Sequence, residues 1–185
     1  MPVVKVSQEY ILKQALQVFR QKSYYNATMA DIADACGLLK GSIYHYFPSK
    51  EVLMKEVLKT AHHFFQVKVF DIAYQKDKPA RDRLKLMLKN IEAIFIEEET
   101  NCIMGNIGVE TTRVIPEFSG LIQEFFNNWI NAFTEVYKEK YSESKAREVA
   151  EFSVAEIEGS VMLARIFNEP KFLRDTHVRV LGRLN

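Results

Sequence analysis

The chain has 185 residues, 48% of them hydrophobic, with a formal net charge of +1. That length supports a well-buried core in one domain or two small ones. No run of 18 uncharged apolar residues exists, and Lys5, Glu9, Lys13 and Arg20 interrupt the first twenty residues. Neither a transmembrane span nor a signal peptide is therefore expected, and a cytoplasmic protein with no membrane partner is. Cys36 and Cys102 lie far apart with no CxxC or Cys/His spacing, so neither a disulfide framework nor a zinc module is expected, and no metal or cofactor is called for.

Every readable element is helical. Ser7 can cap a first helix carrying Ile11, Leu12, Ala15, Leu16, Val18 and Phe19 as a core stripe and ending before Tyr24 and Tyr25. Thr28 then places a hydroxyl, and Asp31 a carboxylate, where the free N–H groups and positive dipole end of a second helix favour them. Met29, Ile32, Ala33 and Cys36 supply its apolar face, and Gly37 offers a left-handed C-cap. After the turn, a short helix over 40–47 keeps Ile43 and Phe47 on a core-facing side. Lys40, Ser42, Tyr44, His45 and Tyr46 lie largely elsewhere, and Pro48 ends the helix. Two short helices joined through a glycine turn make a helix-turn-helix, whose second helix enters the DNA major groove. The charge has the matching sign, net +3 through residue 60 and −2 over the remainder, but a few charges are weak support; the motif carries the DNA assignment.

Across roughly the first 55 residues, ILKQALQVFRQKSYYNATMADIADACGLLKGSIYHYFPSKEVL resembles the amino-terminal domain of the TetR (tetracycline-repressor-like) family of bacterial regulators, with GSIYHYFPSKE its most specific part. The resemblance implies an all-α fold. An amino-terminal three-helix helix-turn-helix domain, residues 1–50, would join a carboxy-terminal helical bundle for ligand binding and dimerisation, residues 51–185. It also implies a ligand-responsive regulator, most simply a repressor, that binds palindromic operator DNA as a homodimer. Thr28, Lys40, Gly41, Ser42, Tyr44, His45, Tyr46 and Lys50 would contact DNA, with Thr28 and Lys50 on phosphates and Lys40 best placed to read a guanine. One departure is Leu39, which stands where the family usually opens the recognition helix with a small or hydroxylated residue.

Beyond the motif, Ser49 caps a long helix with Leu53, Val57, Leu58, Ala61, Phe64, Phe65 and Val69, which would link the domains; Pro79 breaks it. An amphipathic helix with Leu84, Met87, Leu88, Ile91, Ile94 and Phe95 runs to the acidic Glu97 to Glu99, expected as a solvated face. A short helix around Gly105 and Gly108 precedes an aromatic one opened by Pro116 and carrying Phe118, Phe125, Phe126, Trp129, Phe133 and Tyr137. Aromatic stripes at this spacing are core as a rule. Given the family's inducer sites, Phe95, Cys102, Asn106, Glu110, Phe126, Trp129 and Phe133 are the candidates for contact with a small-molecule effector of unknown identity. Asn106 and Glu110, four residues apart, would share one face; the alternative for Glu110 is simple exposure or a pair with Arg113. A thiol-sensor role for Cys102 is opposed by the acidic run nearby, which would raise its pKa.

Resemblance places the dimer interface on the last two long helices, about 144–167 and 170–181, where Ala155, Gly159, Ser160 and Ala164 would allow close approach. An enzyme is not expected: no phosphate loop, GxSxG or HExxH occurs, and His62 and His63 adjoin at about 100° on a helix rather than forming an i, i+4 pair. A protein-binding adaptor that kept the motif as scaffold would have lost the polar side chains that Lys40, Ser42, Tyr44 and His45 retain.

Overall fold

A computed structural model describes residues 6–97, 101–111 and 113–185, with nothing assigned to the side chain of Glu97. Most of the acidic run, read as a solvated face, therefore lies outside the described residues. Helix α1 spans Gln8–Asn26; the Ser7 hydroxyl accepts the Tyr10 N–H at 3.1 Å, and Ile11, Ala15, Val18 and Phe19 are buried along one side. Its regular course breaks at Ser23 (φ 63°, ψ 173°), where the sequence reading ends it, and one further turn follows. Helix α2 spans Met29–Ala35 behind a complete capping box: the Thr28 hydroxyl accepts the Asp31 N–H at 3.1 Å, and the Asp31 carboxylate accepts the Thr28 N–H at 2.9 Å. Gly37, at φ +67°, closes the helix in the left-handed conformation expected of it.

The second helix of the motif is shorter than its sequence suggests. Only Ser42–His45 is helical, as one 3₁₀ turn. Gly41 carries an entropic cost at its start, and Pro48 disfavours helical backbone at Phe47. A single turn still inserts Ile43 and Phe47 into the core.

Helix α3, Lys50–Lys68, starts on Ser49, whose hydroxyl accepts the Val52 N–H at 3.2 Å, and runs from the motif into the bundle. A 3₁₀ turn, Phe70–Tyr74, leads to α4, Ala80–Glu92, which widens into a π-helical turn at Ala93–Glu97. Then come α5 (Ile103–Thr111), α6 (Pro116–Tyr137), α7 (Glu143–Phe167) and α8 (Lys171–Gly182). The fold is all-α, and among the described residues no helix is long and apolar enough to cross a membrane.

One apolar core runs from Ile11 to Val180. Trp129 is at its centre, with the rings of Phe65, Phe70, Phe125, Phe126 and Phe133 at 5.9 to 6.4 Å. Arg83, wholly buried, is tolerated because its charge is paired: its Nε donates to the Lys78 carbonyl at 3.1 Å, one terminal nitrogen donates to the Ala73 carbonyl, and the other pairs with the Glu139 carboxylate. The Tyr137 hydroxyl ties α6 to α7 through Ser153 at 3.0 Å and to α8 through the Val180 carbonyl at 3.2 Å.

Candidate functional site

With Ile43 and Phe47 committed to the core, Lys40, Gly41, Tyr44 and His45 are left exposed, Tyr44 to 46%. Ser42 is half-buried, and Tyr46 is a half-buried ring packed against the core. Leu39 is 81% exposed, and no side chain caps the turn that follows it. Thr28 sits in the open at the α2 N-terminus, although its hydroxyl is engaged within its own capping box. The Lys22 ammonium, 2.7 Å from Asp31, and the Thr28 donors hold the Asp31 carboxyl down to about 2, so the cap stays charged across the neutral range.

Lys50 bonds to the chain's own backbone. Its ammonium turns back to donate to the carbonyls of Tyr24 at 2.8 Å and Ala27 at 2.9 Å, with Tyr25 at 3.5 Å, and lies 4.5 Å from the centre of the Tyr24 ring. All three donors of an ammonium are thereby directed inward. Residues 24–27 need such support because the break at Ser23 removes the turn that would have paired their polar groups. Their N–H side is met from the other half of the chain: the Glu110 carboxylate accepts the Tyr24 N–H at 3.1 Å and the Tyr25 N–H at 3.0 Å, one on each oxygen. Burial and the nearby Glu51 carboxylate push the Tyr24 phenol well up, keeping it neutral.

The effector candidates separate. Phe95 and Cys102, with Phe65 and Phe125, line a cavity of about 450 Å³. Trp129 and Phe133 are solid core, and Phe126 stacks on Trp129 at an interplanar angle of 11°. Asn106 is exposed and does not line this cavity, and Glu110 is neither simply exposed nor paired with Arg113, because it holds the turn at Tyr24. Burial and the adjacent Glu158 carboxylate push the Cys102 thiol well up, the reverse of what a reactive thiolate requires. The sequence reading missed that Leu12 and Leu16 of α1, placed there in the core stripe, form a wall of this cavity. Their signal was faint: both are only half-buried, at the edge of the fully buried stripe.

The sequence pattern described as bacterial regulatory proteins, tetR family, matches residues 11–57, the span from α1 to the first part of α3. A second, described as the LmrA/YxaF-like transcriptional regulator C-terminal domain, matches residues 80–178, more than half of the chain. The chain belongs to the TetR family of bacterial transcriptional regulators. Among relatives of this TetR-family protein is the HTH-type transcriptional regulator LmrA of Bacillus subtilis, 27% identical over 85% of this chain and 86% of that protein. The HTH-type transcriptional repressor DhaR of Mycobacterium sp. is 24% identical over 85% of this chain and 82% of its own length. In fold, a TetR transcriptional regulator from Legionella pneumophila superposes with a TM-score of 0.86 over 96% of both chains at 21% identity. Family membership makes the motif at Met29–His45 the DNA-binding element of a TetR-family regulator.

Proposed function

We propose that this TetR-family protein is a ligand-responsive repressor that binds a palindromic operator as a homodimer. The observation that carries the DNA half is the division of labour in the 3₁₀ turn: Ile43 anchors it, while Lys40, Tyr44 and His45 stand free on its solvent side. Lys40 is the base reader, since a lysine reaches guanine acceptors; Gly41 lets the backbone approach; Ser42, Tyr44 and His45 contact bases or phosphates; and Thr28 positions a phosphate at the α2 N-terminus. Tyr46 and Lys50 support the motif from behind, Tyr46 by packing and Lys50 through the carbonyls it holds. Residues 1–50 act as the reading head and residues 51–185 as the body that binds effector and partner.

Pairing two recognition turns at half-sites roughly 34 Å apart, or a multiple of that, requires a two-fold dimer. Support comes from α7 and α8, which leave Phe152, Met162, Ile166, Phe167 and Val178 exposed at more than half of their surface. That many uncovered large apolar side chains on two neighbouring helices is characteristic of an interface. Of the four small residues expected there, Ala155 is exposed and Gly159 half-buried, whereas Ser160 and Ala164 are buried against the bundle.

Selection of bound fragments from a random DNA pool tests the reading. A two-fold-symmetric consensus is expected. Lys40→Ala should weaken its binding by about tenfold and broaden the preference at one base pair of each half-site. Asymmetric or sequence-indifferent selection overturns it.

A further inference from the structure

The recognition element opens on an exposed leucine. At the end of α2 the Leu38 N–H bonds back to the Ala33 carbonyl at 2.9 Å, and the Leu38 side chain is buried in the core. The Leu39 carbonyl then accepts the Ser42 N–H at 2.8 Å, which starts the 3₁₀ turn. Leu39 is thus the first residue of that turn, and its side chain is 81% exposed. Lys40, Gly41, Tyr44 and His45 follow it as exposed residues, and a Cβ added at Gly41 would meet nothing within 4 Å.

A single exposed leucine is ordinary on a protein surface. Three features set this one apart. It stands at the amino-terminal end of the recognition element, the end whose side chains reach base edges in a helix-turn-helix. Packing does not require it, because Leu38 already supplies the apolar contact that accompanies a glycine C-cap. It also carries no donor or acceptor, so the phosphate or capping bond open to a hydroxylated residue at this position is closed to it, and no side chain caps the turn.

Resting on the operator reading above, we infer that Leu39 is a specificity-determining residue that reads the C5-methyl group of a thymine in the major groove. The major-groove edges of the base pairs present donors, acceptors and, on thymine alone, a methyl group. An apolar side chain laid over a donor or acceptor strips it of water without replacing the hydrogen bond, which costs free energy. Laid over the methyl, it removes apolar surface of both partners from water, which is favourable. Leu39 therefore prefers thymine both by what it gains there and by what it loses elsewhere. Consecutive Cα atoms are about 3.8 Å apart and base pairs about 3.4 Å, so Leu39 and Lys40 serve the same or adjacent base pairs. Together they select a thymine beside a guanine, the one through its methyl group and the other through its acceptors.

The test uses the full chain and the consensus duplex recovered by selection from a random pool. Each thymine of that duplex is replaced in turn by deoxyuridine, which keeps the base pair and the O4 acceptor and removes only the methyl group. At one thymine of each half-site, uracil should weaken wild-type binding about fourfold, and about fifteenfold when both half-sites carry it, as expected for one buried methyl group per contact. Leu39→Ala should bind the thymine duplex as weakly as wild type binds the doubly substituted one, and should bind the two duplexes alike. Its melting temperature should match that of wild type, since the side chain it removes is 81% exposed. Leu39→Ser should lose the methyl dependence in the same way, which keeps the test standing if Leu39→Ala fails to fold. The role of Leu39 is overturned if no thymine shows a methyl effect in wild type, or if the effect persists undiminished in either variant. A pool that yields no consensus refutes the operator reading and this inference with it, whereas a consensus without methyl dependence refutes the role of Leu39 alone.

Discussion

Glu110 and Lys50 grip opposite polar edges of the same four residues: the carboxylate accepts the N–H groups of Tyr24 and Tyr25, and the ammonium donates to the carbonyls of Tyr24 and Ala27. The break at Ser23 creates the need, because residues held at φ 63° cannot continue the α-helical ladder. Two charged groups from distant parts of the chain then satisfy what the backbone gave up.

Glu110→Ala leaves two N–H groups without their acceptor. A loss of about 1–3 kcal/mol is expected, and amide exchange at Tyr24 and Tyr25 should accelerate well beyond that of α1 residues such as Ala15. Equal exchange rates in mutant and wild type would show that the contact contributes nothing.

Lys50→Ala should lower the melting temperature by several degrees, because charge-assisted hydrogen bonds contribute about 1.5–3 kcal/mol and a domain of this size loses roughly 2–4 °C per kcal/mol. The slope of log affinity for DNA against log salt should stay close to that of wild type. A slope shallower by about one would instead mark Lys50 as a phosphate contact.

Two buried groups tilt stability with pH in opposite directions. Burial raises the Glu158 carboxyl to about 7 from its ordinary 4.5; one of its oxygens is buried without a partner, and the other faces Gly105 so closely that a Cβ there would meet it at 2.9 Å. With the folded-state value above the unfolded one, its contribution is fully present below pH 4.5 and is lost as pH rises through 7. Glu158→Gln should therefore raise the melting temperature by several degrees at pH 8 and leave it unchanged near pH 4.5.

Burial lowers His177 to about 4 from 6.5. The Glu92 carboxylate at 3.9 Å opposes that shift but is shared with Arg174, whose Nε lies 2.6 Å away. The His177 contribution is present above pH 6.5 and lost as pH falls toward 4, so His177→Leu should flatten the acid limb of the melting profile. Thermal melts of both variants from pH 4 to 8 check the two signs independently.

Ile166, 66% exposed on α7, is a sharp probe of association. Ile166→Glu should shift light scattering at micromolar concentration from a dimer to a monomer and weaken operator binding, while leaving the helical circular dichroism spectrum intact. A wild-type monomer under the same conditions removes the dimer from the proposal.

Local chemistry was legible in the chain itself. Thr28, Asp31 and Gly37 mark the ends of α2 because caps are decided by neighbours three or four residues apart, and Ser49 and Pro116 open their helices for the same reason. The amphipathic stripes fixed the all-α class, and the motif fixed the family. The length of the recognition element is not legible from the apolar pattern, because a single apolar pair four residues apart, Ile43 and Phe47, does not show how far helical backbone extends around it; the Gly41 and Pro48 boundaries limit it to one turn.

What only the tertiary structure decided are the long-range polar contacts and the empty space. Glu110 lies 85 and 86 residues from the donors it meets, so no periodicity carries that pairing. Asn106, on the same helix, points to solvent instead. Whether an aromatic residue becomes solid core, as Trp129 and Phe133 do, or a cavity wall, as Phe95 and Phe125 do, depends on how completely neighbouring helices close around it. Hydrophobic pattern records that a side chain is buried, and packing alone determines whether anything else fits beside it.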